Sequence, residues 1–135
     1  MGGDPYFYVV DFEEDLNSVL QKLRKKVFES GDYYGVQFKP RTPEEALYMA
    51  QEEGTKSILD ILRISDELDY CCAIPLKEDE LIKYFNTNKP SIDILSKIFD
   101  YYDFWNDINR GMARVVVLYD NECPKKILFA GYSID

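Results

Sequence analysis

The chain has 135 residues, 46% hydrophobic and 30% charged, which is one domain's worth, able to bury about two thirds of its surface without disulfides or metal. Sixteen Lys and Arg against 25 Asp and Glu give a net charge of −9, and histidine is absent. The missing imidazole excludes Ser-His-Asp and Cys-His catalysis and most zinc or non-haem iron sites, and the acidic balance disfavours nucleic acid and anionic membranes as partners.

The first five residues, Met1 to Pro5, lack the basic and apolar stretches of a secretory leader. Tyr6 stands where an acylation motif on Gly2 requires Ser or Thr. No apolar run approaches the ~18 residues of a membrane span. Pro5 to Val10, aromatic and β-branched, predicts a first strand. Asp11 with Glu14 three residues later reads as the capping box of a helix. Its stripe is Leu16, Val19, Leu20, Leu23 and Val27, with acids early and Lys22 to Lys26 late, an order that suits the helix dipole. Gly31 ends it. Tyr33 to Lys39 predicts a short strand stopped by Pro40.

Thr42-Pro43-Glu44-Glu45 is a helix start, with Thr as cap and Pro in the first turn, and that helix should reach about Glu53 and stop at Gly54. Residues 57–65 fit a helix face about as well as a strand, and their shortness and β-branched content favour a strand; Asp66 to Asp69 predicts a turn, and Tyr70 to Ile74 the returning strand closed by Pro75. Glu78 to Asn86 predicts a short helix. Ser91 caps a last helix to about Asn109, with Ile94, Leu95, Ile98, Tyr102, Trp105 and Ile108 on its apolar arc. Arg114 to Tyr119 and Ile127 to Ser133 form a hairpin around Asp120 to Pro124. The expectation is α+β: one domain over residues 1–135, with a single mixed, mainly antiparallel sheet of about five or six strands. Helices should pack on one face, and a β-hairpin should close the chain.

Cys71, Cys72 and Cys123 form no disulfide framework and read as reduced small apolar residues of a cytoplasmic protein. Asp120-Asn121-Glu122 lacks the glycine and spacing of a calcium loop, and Asp100, Asp103 and Asp107 read as a solvated helix face. No phosphate-binding glycine motif occurs. These readings assign no catalytic residue, no metal ligand and no cofactor.

Two features point to binding. Tyr, Phe and Trp make up 15% of the chain, and residues 42–80 hold three cations against eleven carboxylates, a net of −8 out of −9. On the second helix Glu44, Glu45, Tyr48 and Glu52 share an arc of about 100°, opposite Ala46, Leu47 and Ala50. Asp66, Glu67, Asp69, Glu78, Asp79 and Glu80 come from neighbouring turns and are expected to extend that face. A tyrosine framed by carboxylates suits a basic partner protein. The expected function is a non-enzymatic binding protein, most concretely an immunity or inhibitor protein that occludes a basic toxin or nuclease. The alternatives are a small-ligand-binding protein or an enzyme working with carboxylates and Tyr, marked by a concave pocket, and a homo-oligomer that buries the aromatics.

Gly31-Asp32-Tyr33-Tyr34, Gly54-Thr55-Lys56-Ser57-Ile58-Leu59-Asp60-Ile61 and Phe129-Ala130-Gly131-Tyr132-Ser133 resemble segments of small uncharacterised bacterial proteins. The resemblance implies a bacterial cytoplasmic origin and carries over no functional residue.

Overall fold

Strand β1, Pro5–Asp11, and the hairpin β4, Ala113–Asp120, with β5, Cys123–Tyr132, form the antiparallel half of the sheet. In the computed structural model, which describes residues 3–135, β2 (Arg63–Ile64) and β3 (Cys72–Pro75) add a parallel half beside β4. The sheet is five-stranded and mixed, in the order β1-β5-β4-β3-β2, and the chain is α+β with a C-terminal hairpin, as expected. The reading of Met1 and Gly2 lies outside the described residues. Among those residues no helix is long and apolar enough to cross a membrane.

The helices flank both faces of the sheet, and the one-face expectation is corrected. Ala113, Val115, Ile127 and Phe129 point to one side, where they meet Val19, Leu20, Leu23 and Val27 of α1 (Leu16–Ser30) and Ala46 of α2 (Pro43–Ala50). Val116, Leu118, Leu128 and Ala130 point to the other, onto Phe85 of α3 (Glu78–Phe85), Ile94, Ile98, and Phe104 and Trp105 of α4 (Tyr102–Asn106). The cause is legible in β4, where Ala113-Arg114-Val115-Val116 is buried throughout, so both faces need cover.

Local chemistry accounts for the other departures. Asp11 stays in β1 and pairs with Lys126, while Asp15 caps α1 by accepting the Ser18 N–H. Residues 33–39 are a turn and a 3₁₀ segment, Val36–Phe38, held between left-handed Gly35 and Lys39 rather than extended. Residues 57–65 are mostly not strand: the Ser57 hydroxyl accepts the Leu59 N–H (3.1 Å) and starts a 3₁₀ turn, Ile58–Asp60. Ile58, Leu59 and Ile61 are all fully buried there, which explains why neither period fitted better. β3 does not return antiparallel. The 65–71 loop doubles back, and the Cys71 N–H, at φ +60°, donates to the Gly111 carbonyl at 2.8 Å. The short loop suffices because β2 has only two residues to retrace.

The last helix is broken. Ser91 caps a 3₁₀ stretch, Ile92–Asp100, with a non-helical Lys97, and α4 restarts after Tyr101. The break shifts the phase, so Phe104 is buried and Tyr102, expected inside, is 69% exposed. The three cysteines are unpaired, with Cys72 buried in β3.

Candidate functional site

The surface around α2 is built on a buried polar knot. Asp60 has no accessible surface, and its Oδ1 accepts the Thr55 backbone N–H (2.6 Å) and the Thr55 hydroxyl (2.8 Å). Asp60 Oδ2 is buried and makes no hydrogen bond of ordinary geometry among the described residues, although the Lys56 and Ile134 backbone N–H groups approach this carboxyl. Burial pushes this carboxyl above its ordinary range, and the Thr55 hydrogen bonds pull it partly back. A side chain at Gly54 would meet Oδ2 at 2.9 Å, so only glycine fits that left-handed position. The Thr55 carbonyl in turn accepts the Tyr34 N–H at 2.7 Å. The knot thus ties residues 33–35 to 54–60 and sets Tyr34 at the surface.

From this floor rises a groove of about 510 Å³, walled by Tyr34, Phe38, Tyr48, Met49 and Ala50, with Glu53 at its rim. Tyr48 is 80% exposed and Phe38 50%, and Val36 beside Phe38 is 42% exposed. The Glu53 carboxylate beside its hydroxyl holds Tyr34 above the ordinary tyrosine range. Lys56 lies 5.8 Å from the centre of the Tyr34 ring.

The expected acidic residues divide into groups. Glu44 and Glu45 sit in the first turn of α2 and answer the chain's own arginines. Glu44 accepts from Arg24 at 3.3 Å, and the Arg24 side chain is only 5% exposed, so this carboxylate serves a buried cation. Glu45 accepts the Arg41 backbone N–H and faces the Arg41 guanidinium at 3.6 Å, while its own N–H is capped by the Thr42 hydroxyl. Glu52 is exposed and forms no ion pair among the described residues. Tyr48 and Glu52 are therefore the members of this group whose side chains have no part in the fold.

The remaining acids lie elsewhere. Asp69 pairs with Arg63 at 2.8 Å, and Glu67 is exposed on the 65–71 loop. Asp66 and Asp79 share a cavity of about 250 Å³ with Leu68, Lys77 and the pair of buried Arg114 and partly exposed Glu80, 2.7 Å apart. Glu78 is exposed in the first turn of α3. Since α2 packs in one layer and α3 in the other, Glu78 and Asp79 do not continue the α2 face; Asp79 and Glu80 instead share their cavity with Asp66.

Sequence reading missed Asp60, Thr55, Phe38 and Val36. A signal for the first two lay in Thr55-x-Ser57-x-x-Asp60, three short polar side chains amid Ile and Leu. The segments containing Tyr34, Thr55 and Ser133 were noted only as resemblances. The first two are joined by the hydrogen bond from Tyr34 to Thr55, and Ile134, directly after the third, packs at Gly54. Comparison with protein-family models, curated proteins and solved structures finds no match for this chain.

Proposed function

We propose that this chain is a non-enzymatic acidic binding protein that covers a basic surface of a partner protein, in its most concrete form an immunity or inhibitor protein acting by occlusion. The observation that carries the reading is the pair Tyr48 and Phe38: large aromatic side chains left open on one groove, with Glu52 and Glu53 in the adjoining turn. Two of its walls, Tyr48 and Phe38, stand out of the groove into solvent, which suits a partner surface that covers them from outside. Tyrosine supplies contact area at low entropic cost, and fully desolvated aromatics carry most binding energy. The carboxylates meet Lys and Arg of the partner, and the net charge of −9 steers it in.

The test is affinity capture by the immobilised chain from its source cells, at low and at high salt. Tyr48→Ala combined with Glu52→Lys is expected to weaken capture of a basic protein by about tenfold or more and to leave the melting temperature unchanged. Equal capture by this variant overturns the reading.

A further inference from the structure

Strand β1 is an edge strand with half of its backbone unused. The Phe12 N–H donates to Lys125 O (3.1 Å) and the Ser133 N–H to Asp4 O (2.9 Å). In an antiparallel ladder this parity turns the even-numbered backbone groups toward β5. The N–H and C=O groups of Phe7, Val9 and Asp11 then face the open edge. Proteins ordinarily blunt such edges by shortening, charging or covering them. The opposite edge, β2, has two residues, whereas β1 has seven, with Pro5 and Asp11 guarding only its ends.

Beside this edge, between β1 and α1, lies a groove of about 370 Å³, with Val10, Val19 and Leu23 in its floor and Lys22, Lys26 and Lys126 on its rim. Lys22 pairs with Glu13 and Lys126 with Asp11. Lys26 forms no ion pair among the described residues, and both Lys26 and Lys125 act on Asp11. The edge is thus bordered by four ammonium groups against two carboxylates, on a chain whose net charge is −9.

We propose that β1 takes up an extended acidic segment of a partner protein as an added strand. Its backbone pairs with Phe7, Val9 and Asp11, and its acidic side chains, on alternate residues, reach Lys22, Lys26 and Lys126. Charge argues against a second copy as occupant. The β1 strand of a second copy carries one acid, Asp11, already paired with Lys126, and so offers no carboxylate to Lys26.

The probe is a fluorescein-labelled decapeptide of alternating glutamate and valine, followed by anisotropy. Saturable binding is expected, with Lys26→Glu weakening it about tenfold and an alternating lysine and valine peptide binding at least as weakly. Val9→Pro removes an outward N–H without breaking the ladder to β5 and should abolish binding. Amide exchange supplies a readout that needs no variant: the Phe7, Val9 and Asp11 N–H groups exchange fast in the free protein and slow when the peptide is bound. No saturation, or binding indifferent to Lys26→Glu, overturns the proposal. So does unchanged exchange at these three amides, or a dimer of the free chain that Val9→Pro dissociates.

Discussion

Asp60 is a carboxyl sealed from water, with one oxygen held by Thr55 and the Lys56 and Ile134 backbone N–H groups nearby. Burial raises its pKa above the ordinary 3.8, so the folded chain holds this proton more tightly than the unfolded one. The resulting stabilisation is complete below pH 3.8 and is lost as pH rises through the folded value. Asp60→Asn carries no such titration. In urea unfolding across pH 3 to 7, the stability of this variant relative to wild type should therefore rise with pH above about 4; a constant difference contradicts the account. Asp60→Ala should lose about 2 kcal/mol at pH 3, because the Thr55 N–H is then buried without an acceptor, and the loss should shrink as pH rises through the folded value of Asp60. The pair of Glu80 and Arg114 works in the opposite sense. Burial raises Glu80, but the Arg114 guanidinium and the Lys77 N–H outweigh it and hold the carboxyl below its usual range. Its stabilisation is present at neutral pH and is lost on acidification.

At the scale of elements, the β4–β5 turn shows how the hairpin is closed and where it is strained. Asp120 pairs with Cys123, leaving Asn121 and Glu122 as a two-residue loop, both at positive φ (51° and 63°). That geometry favours Asn then Gly, and Glu pays for its β-carbon in the left-handed region. Glu122→Gly should stabilise the chain by about 1 kcal/mol in chemical denaturation; a loss of stability would show that the Glu122 side chain is held by something outside the turn. The hairpin, β1 and α3 were legible, and so were the bodies of α1 and α2, but α1 starts from Asp15 rather than Asp11, and α2 ends at Ala50 rather than about Glu53, because Gln51 turns to φ +56°. What was not legible depended on partners distant in sequence. The Tyr33 to Lys39 segment has strand composition, yet Gly35 and Lys39 adopt left-handed conformations that curl it into the wall of a groove. The 57–65 segment folds by polar bonds among Thr55, Ser57 and Asp60 that a hydrophobic pattern does not register. In the last helix the pattern was continuous across Tyr101 while the backbone was not.

For the whole molecule, the local charge excess was visible in residues 42–80, but its division was not. The sheet passes between α2 and α3, so carboxylates close in sequence lie in different layers. Arg24 and Arg41, which answer Glu44 and Glu45, come from before this window. Tyr48 was legible as a helix-face tyrosine; Phe38, which faces it across the groove, was not, because its segment has the composition of a strand. The molecule then presents an aromatic groove beside α2 and an open, lysine-bordered strand at β1. The claim on which the functional reading stands is that Tyr48 meets a basic partner. Photocrosslinking tests it most directly, with benzoylphenylalanine in place of Tyr48 and, as control, in place of Tyr102, which is 69% exposed in the opposite layer. The expected result is one basic protein crosslinked from position 48, lost at high salt, and none from position 102. Equal labelling from both positions, or none from position 48 in the source cells, contradicts the claim.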